Sequence, residues 1–235
     1  MRKFIFLWPT IYPEKMIETY NHWIETSSQQ YKILTIIAVN TKEHAKILSN
    51  YGFDKIYVVG EKYLGPVWPT FVLTQKLPQL NNNDIIILVS DDFYSPQNWD
   101  ISLINEFDEF DGGLIVRDGI STGDCATIPI LTFNCLKRLN FIIYHPIYHW
   151  QFSDVEFTDN LRESNTLKKS ELVFEHQHWA SGKRKMTDHD KNTLNTYWDD
   201  HKTYYTRKEI SLEERLKIDQ KYLDNLNQVY IYNPK

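Results

Sequence analysis

The chain has 235 residues, a formal net charge of -5 and no long basic run, which excludes the charge pattern of a general nucleic-acid-binding protein. This length can bury a sizeable core, as one large α/β domain or two small ones, and we expect one domain with a tail. Cys125 and Cys135 have no Cys-x-x-Cys spacing and form no framework of pairs. That pattern favours a reducing cytosol, with both cysteines as small buried hydrophobic residues.

The apolar run near the amino terminus, residues 4–8, is too short for a signal peptide, and no later segment approaches the length of a membrane span. We therefore expect a cytoplasmic protein without a membrane span. Residues 4–8 are instead typical of a first buried strand.

From that strand onward, apolar runs typical of strands alternate with amphipathic segments typical of helices. The predicted strands of this half cover residues 4–8, 31–39, 54–59 and 84–89, and the predicted helices cover residues 14–27, 41–50 and a stretch that follows the loop at 65–70 and ends near residue 80. This order implies right-handed crossovers and a parallel sheet flanked by helices.

The second half of the chain alternates less regularly. The elements predicted there are helices ending near residues 107 and 140, strands at 114–117 and 171–175, a helix at 153–165 capped by Ser153, and helical segments from residue 183 onward, notably 212–226. Segment 124–132 is expected to be extended, but its Pro129 argues against a central, fully hydrogen-bonded strand.

The strand predicted at 84–89 leads directly into Ser90-Asp91-Asp92. An unbroken aliphatic run is typical of a strand buried on both faces, and its carboxyl end lies at the edge where open α/β sheets bind ligands. Two adjacent carboxylates repel each other, so they need a cation, a hydrogen-bond network or open water. A hard divalent metal carrying a phosphate would supply the cation. Taken alone, Ser-Asp-Asp after a strand is more often a turn with an Asx cap.

Two further clusters of acidic or histidine residues follow predicted elements. Asp154 and Glu156 lie in the first turn of a predicted helix, where acids also complement the helix dipole. His176 and His178 follow the last predicted strand, and alternation along a strand places them on the same side. Imidazole at such a position can join carboxylates around Mn²⁺ or Mg²⁺. Each cluster alone is explained by a cap or a strand end, whereas three such clusters in one sheet protein favour a metal site.

Taken in order, the chain has Pro9-Thr10 after the first strand, Asn40 after the second, the Gly65 loop and helix, and Ser90-Asp91-Asp92 after the fourth. This ordered set resembles the nucleotide-sugar half of a GT-A glycosyltransferase similar to family two, of the small soluble type found in bacteria or phages. Downstream, residues 152–157 are similar to the acidic motif of the inverting members, and residues 173–178 resemble their late metal-binding histidine. The resemblance covers about residues 3–205.

The resemblance implies a role for each of these positions. Asp92 matches the metal-binding aspartate, with His176 or His178 as an additional ligand of Mn²⁺ or Mg²⁺. Asp154 matches the carboxylate that removes a proton from the acceptor hydroxyl, with Glu156 as the second choice. The implied nucleotide-sugar-binding residues are Pro9, Thr10, Tyr12, Asn40, Gly65, Ser90 and Asp91.

Three positions depart from the pattern of the family. Ser90 replaces the first aspartate of the common Asp-x-Asp motif, Ser153 replaces the usual glutamate of the acidic motif, and Tyr12 stands where relatives often carry a basic or amide side chain. Aromatic side chains that could stack on a base or a sugar, although such residues more often pack in the core, are Trp68, Trp99, Trp150 and Trp179.

The predicted fold is α/β, a GT-A (Rossmann-like) mixed and mainly parallel sheet flanked by helices. We expect one catalytic domain over 1–205, with the nucleotide-sugar half at about 1–100 and the acceptor half at about 101–205, and a helical extension over 206–235. The predicted function is metal-dependent, inverting transfer of a sugar from a nucleoside-diphosphate sugar to a hydroxyl group.

Two alternatives to a glycosyltransferase remain open. A nucleotidyltransferase also uses paired carboxylates and a metal at a sheet edge, but it would more naturally have a Gly-rich, basic phosphate loop where this chain has Pro-Thr-Ile-Tyr at 9–12. A non-catalytic nucleotide-sugar-binding module would keep the fold without the chemistry.

The implied acceptor is a glycan, a lipid-linked sugar or, for a phage-encoded enzyme in the host cytoplasm, a hydroxymethylated DNA base. Recognition of DNA would require the basic runs at 183–185 and 207–208 to form a phosphate-facing patch. Short basic runs are more often solvated surface, so DNA is the minority hypothesis.

Overall fold

The apolar runs of the first half lie side by side as parallel strands in the computed structural model, which describes residues 2–61, 65–120, 123–219 and 230–231. The strands in chain order are β1 (Lys3–Thr10), β2 (Lys32–Val39), β3 (Lys55–Val58), β4 (Ile85–Leu88), β5 (Phe93–Tyr94), β6 (Gly113–Arg117), β7 (Ile130–Thr132), β8 (Leu167–Val173), β9 (Glu175–His176) and β10 (Tyr230–Ile231). Within the described ranges, the main sheet has the order β10-β3-β2-β1-β4-β7-β6-β8. Strands β7 and β10 run antiparallel to their neighbours, so the sheet is mixed and mainly parallel, as predicted.

Helices cover both faces of this sheet. They are α1 (Pro13–Glu25), α2 (Lys42–Leu48), α3 (Val67–Gln75), α4 (Trp99–Glu106), α5 (Phe133–Arg138), α6 (Ser153–Glu163), α7 (Asp188–Leu194), α8 (Tyr197–Lys208) and α9 (Leu212–Asp219). Alternate side chains of β1 enter two different cores: Phe4, Phe6 and Trp8 pack with α1, α2 and α4, while Ile5 and Leu7 pack with α3, α5 and α6. A central strand buried on both faces is therefore apolar without interruption.

Strand β7 lies at the centre of the sheet, between β4 and β6. The expectation that Pro129 keeps this segment out of a central position is wrong, because the strand begins one residue later. Pro129 contributes its carbonyl oxygen, which accepts a hydrogen bond from Leu88 N at 2.9 Å. The N–H group that proline lacks is therefore not needed by the ladder.

Several other boundaries also differ from the sequence-based expectations. Ser153 is the first residue of α6 and not its cap: the preceding Phe152 has φ of 62°, and Ser153 Oγ donates a hydrogen bond to Trp150 O at 3.0 Å. Helix α3 begins within the loop expected at 65–70, because Pro69 is tolerated in a first turn. Of the helix expected at 212–226, residues 212–219 form α9, and the remainder falls outside the described residues.

In the part of the chain that the structure describes, no helix combines the length and the hydrophobicity needed to cross a membrane. Cys135 is buried and Cys125 is half-buried, and neither forms a disulfide. Burial raises the pKa of both thiols.

Candidate functional site

Two adjoining cavities open where strands β1, β2 and β4 end. The first has a volume of about 410 Å³, and all the residues predicted to bind the nucleotide sugar line it: Pro9, Thr10, Tyr12, Asn40, Gly65, Ser90 and Asp91. The second, of about 390 Å³, is lined by Asp154, His176 and His178. Both cavities are large enough for a small ligand. The residues shared by the two cavities, called the junction below, are Pro9, Pro66, Ser90, Asp92, Trp150, Arg184 and Asp190.

Asp91 ties the end of β4 to the end of β1. Its Oδ1 accepts a hydrogen bond from Trp8 Nε1 at 2.7 Å, and its Oδ2 accepts one from Thr10 Oγ1 at 2.6 Å. Burial raises the pKa of Asp91 to about 7, although these two donors oppose the shift. Both carboxylate oxygens are therefore engaged within the protein, and Asp91 shapes the wall of the first cavity.

Asp92, in contrast, lies at the junction. Its Oδ1 accepts a hydrogen bond from Ser90 Oγ at 2.6 Å, and its Oδ2 lies 3.2 Å from His176 Nε2. Burial alone would raise the pKa of Asp92, but the hydrogen bonds from His176 and Ser90 and the electrostatic attraction of His176 and Arg184 outweigh it and hold this pKa below its usual value. The carboxylate is therefore kept ionised.

The antiparallel ladder of β5 and β9 places His176 beside Asp92. Phe93 pairs with His176 in this ladder, and their rings stack with centroids 4.1 Å apart. His178 lines the same cavity, but its Nδ1 accepts a hydrogen bond from Ala180 N at 3.2 Å. Burial, followed by electrostatic repulsion from His176 and Arg184, lowers the pKa of His178. Of the two predicted histidines, the structure brings His176 into contact with Asp92.

The family resemblance of the sequence implies a divalent cation, and the donor set can be tested against one. Among the described residues, no group of three or more His, Cys, Asp and Glu side chains is arranged to hold a metal by itself. Mg²⁺-like cations, however, are commonly held by one or two carboxylates together with substrate phosphates and water. Asp92 with His176 therefore fits a cation whose coordination is completed by a diphosphate.

The charges at the junction support the same conclusion. Arg184 binds Asp190 through two hydrogen bonds of 2.6 and 2.9 Å and lies 3.8 Å from Asp92. Among the described residues that line the junction, one guanidinium thus faces two carboxylates. An anionic diphosphate placed there would need an additional cation.

Asp154 lies in the first turn of α6 and lines the second cavity. The residue is half-buried, and its Oδ1 accepts a hydrogen bond from Val155 N at 2.9 Å. Burial raises the pKa of Asp154, and the hydrogen bonds from the Val155 amide and the Cys125 thiol only partly offset this. A carboxylate with a raised pKa at a cavity wall is suited to accept a proton.

Glu156, the second choice for that role, points away from both cavities. Its side chain is 5% exposed and forms an ion pair with Arg207 at 2.7 Å. The Tyr148 hydroxyl also donates a hydrogen bond to it, and Arg207 binds Asp219 at 3.0 Å on the other side. The structure does not bring Glu156 to the site, and the residue instead helps to hold α6 against α8.

The basic runs do not form the common patch that recognition of DNA would require. Lys183 pairs with Glu175 at 2.7 Å, and Arg184 turns into the junction. Arg207 is buried against Glu156. Arg184 is therefore a candidate functional residue that sequence reasoning assigned to the surface, and its only signal was Asp190, six residues later.

Comparisons with known proteins rest on structure alone, because no family model and no curated protein matches the chain. Residues 1–349 of TarS from S. aureus in complex with UDP-GlcNAc align at 16% identity with a TM-score of 0.59, over 73% of this chain and 57% of that one. The same protein in complex with UDP aligns at 15% identity with a TM-score of 0.57, over 91% and 77%. The chain thus spans little more than half of the UDP-GlcNAc complex.

A further similar structure is the mannosyltransferase PcManGT from Pyrobaculum calidifontis in complex with GDP-Man and Mn²⁺. It aligns at 11% identity with a TM-score of 0.55, over 96% of this chain and 74% of that one. Identities this low report on the fold and not on the reaction. The mixed, mainly parallel sheet and these likenesses establish that the chain has the GT-A fold of nucleotide-sugar glycosyltransferases.

Proposed function

We propose that the chain is an inverting, metal-dependent glycosyltransferase that moves a sugar from a nucleoside-diphosphate sugar to an acceptor hydroxyl. The observation that supports this most is the meeting of two cavities at Ser90 and Asp92, one lined by the predicted donor residues and the other by Asp154. A donor and an acceptor bound in these cavities would have their reacting atoms side by side at the junction.

In this proposal the nucleoside occupies the first cavity. Asn40 and Tyr12 line that cavity and not the second, which suits contacts with the base and ribose. The diphosphate lies at the junction, near Asp92 and Arg184. TarS binds UDP-GlcNAc and PcManGT binds GDP-Man, so uridine and guanosine diphosphate sugars are the first donors to test.

Asp92 and His176 would hold the Mn²⁺ or Mg²⁺ ion. When bound, such a cation stabilises the negative charge that develops on the departing nucleoside diphosphate. Arg184, held in place by Asp190, adds a fixed positive charge on the same side of the junction.

Asp154 acts as the general base. Its carboxylate takes the proton of the acceptor hydroxyl while that oxygen forms a bond to the anomeric carbon and the bond from this carbon to the diphosphate oxygen breaks. The acceptor attacks from the second cavity, on the side opposite the leaving diphosphate, so the anomeric configuration is inverted. A single displacement of this kind needs no covalent sugar intermediate on the protein.

For the acceptor, a glycan or a lipid-linked sugar fits better than a hydroxymethylated DNA base. The second cavity presents the carboxylates of Asp154 and Asp190, and the nearby Arg184 is already paired with an acid. A DNA phosphate backbone would meet net negative charge there.

The division into a donor half at 1–100, an acceptor half at 101–205 and an extension at 206–235 belongs to the same proposal. Arg207 and Arg215 of the extension contact α6 through Glu156, Asn160 and Glu163. The extension would therefore support the acceptor half.

The first test is thermal unfolding of the purified protein with UDP, GDP, ADP and CDP, each with Mn²⁺ or with a chelator. A ligand that binds only the native state at one hundred times its Kd stabilises it by about 2.7 kcal/mol. We expect one nucleotide to raise Tm with Mn²⁺ and to lose most of this effect with the chelator. In Asp92→Asn the Mn²⁺-dependent part should disappear.

If no nucleotide raises Tm in the presence of Mn²⁺, the proposed donor site is wrong. An equal rise with Mn²⁺ and with the chelator would retain the nucleotide site and contradict the metal. Glu171→Gln, which changes an exposed acid on β8, serves as the control and should keep the response of the wild type.

A further inference from the structure

Trp150 lines both cavities, and its ring packs closely against Gly65, which lines only the first cavity. A Cβ atom at Gly65 would lie 2.7 Å from Trp150 Cε3 and 2.5 Å from the carbonyl oxygen of His149. Any side chain at residue 65 would therefore displace the indole or the backbone that carries it. Because residue 65 is a glycine, its loop can contact the segment that carries His149 and Trp150.

The backbone that carries Trp150 is held from the other side by Asp200 of α8. The side chain of Asp200 is 1% exposed. Its Oδ1 accepts a hydrogen bond from His149 N at 2.8 Å, and its Oδ2 accepts hydrogen bonds from Trp150 N and Gln151 N, both at 2.8 Å. His149 Nδ1 lies 3.1 Å from Oδ1 as well. Three successive amides bound to one buried carboxylate fix the path of this loop, since hydrogen bonds to an ionised group are among the strongest in proteins.

We propose that Trp150 forms the subsite for the sugar that is transferred, by packing its indole against the face of the sugar ring, and that Asp200 is the positioning residue that holds it there. This inference rests on the proposed function. In a nucleoside-diphosphate sugar the sugar follows the diphosphate, so it lies between Asp92 and the acceptor cavity. That position is the junction. Among the described residues that line the junction, Trp150 is the one with an aromatic side chain.

The chemistry of the sugar suits this wall. One face of a pyranose ring presents several C–H groups, which pack against the electron-rich face of an aromatic ring. The base, in contrast, belongs to the part of the first cavity that carries Asn40 and Tyr12, which do not line the second cavity. Trp150 therefore discriminates a nucleoside-diphosphate sugar from the nucleoside diphosphate alone.

The experiment compares binding of UDP with UDP-GlcNAc and UDP-glucose, and of GDP with GDP-mannose, by calorimetry in Mn²⁺. For the nucleotide pair that the wild type binds, Trp150→Ala should weaken the sugar nucleotide by about tenfold, as expected for the loss of a buried aromatic contact, and the plain nucleotide by less than about twofold. Trp150→Phe should lie between the two. Trp198→Ala, which removes a tryptophan that is 74% exposed on α8, is the matched control and should bind as the wild type does.

The role of Asp200 is tested by a double-mutant cycle. Asp200→Asn should cause the same selective loss of sugar-nucleotide affinity in the wild type and no further loss in Trp150→Ala, because the residue acts through Trp150. Asp199→Asn, at the exposed neighbour in the same helix, is its control. If Asp200→Asn does not fold, Asp200→Glu replaces it, since the longer side chain moves the carboxylate away from the three amides and keeps its charge.

The outcomes separate this inference from the proposed function. If the wild type binds none of these nucleotides, the proposed function fails and the sugar subsite with it. If the wild type binds a nucleotide and Trp150→Ala weakens both members of the pair equally, or neither, the sugar subsite alone is wrong. If Asp200→Asn weakens the sugar nucleotide equally with and without Trp150, Asp200 is not its positioning residue.

Discussion

Replacing Asp154 with asparagine is expected to lower kcat by about 10²- to 10⁴-fold, the usual contribution of a general base. The amide keeps an oxygen that can accept the hydrogen bond from Val155 N, so the start of α6 is preserved, but it cannot take the proton of the acceptor hydroxyl. Donor affinity should remain unchanged, because Asp154 lines the second cavity and not the first. Steady-state kinetics together with donor binding measure both quantities.

The pH dependence of kcat tests the role of Asp154 independently. Because burial raises the pKa of Asp154, the fraction of ionised base falls at a higher pH than it would for an exposed aspartate. In the wild type, kcat should therefore fall on the acid side with a midpoint above the ordinary aspartate range. In Asp154→Asn this acid limb should be absent.

The matched control is Asp188→Asn, which also changes an acid in the first turn of a helix but lies at an exposed position. It should leave kcat and its pH profile unchanged. If Asp154→Asn retains full turnover, a residue other than Asp154 is the general base. If the wild-type protein binds the donor but shows no turnover, the chain is a non-catalytic nucleotide-sugar-binding module.

Replacing Arg207 with alanine is expected to lower the free energy of unfolding strongly. Arg207→Ala leaves Glu156 and Asp219, whose side chains are 5% and 3% exposed, without their shared cation. Breaking a buried ion pair by deleting one partner costs about 3–5 kcal/mol, because the remaining charge is buried and uncompensated. Urea unfolding, with the slope checked for two-state behaviour, measures this loss.

Lys217→Ala is the control for this prediction. It removes a cation that pairs with Glu213 at 2.6 Å on the exposed surface of α9, and the free energy of unfolding should not change measurably. A loss in Arg207→Ala no larger than that of the control would show that the pair around Glu156 is not a stabilising contact. Glu156→Gln should show part of the loss seen in Arg207→Ala, since the amide can still accept a hydrogen bond.

The sequence predicted the central fold well because its strands carry their own signal. Residues of β1 and β4 are buried on both faces, and such strands are uninterrupted apolar runs. The central position of β7 was missed, because one proline next to a strand resembles one within it. The start of α6 at residue 153 was predicted correctly, but the capping role of Ser153 was not, because Phe152 adopts a positive φ that nothing in its sequence signals.

The site was predictable where neighbours in sequence are also neighbours in space. Ser90 and Asp92 follow a buried strand and reach the edge of the sheet, and Asp154 follows the loop into α6. Apart from the family resemblance, nothing in the sequence separates Asp91 from Asp92, because their difference depends on Trp8 and Thr10, more than 80 residues earlier. The burial of Glu156 likewise depends on a partner 51 residues later.

The two-residue ladder of β5 and β9 brings together Asp92 and His176, which are 84 positions apart. Strands β1 and β4 close a loop of similar length, since the contact between Thr10 and Asp91 at their ends spans 81 positions. The two contacts therefore carry similar entropic costs of loop closure, but every residue of the first is synthesised before His176. During synthesis on the ribosome, the wall of the first cavity formed by Thr10 and Asp91 can therefore assemble before His176 is available to contact Asp92.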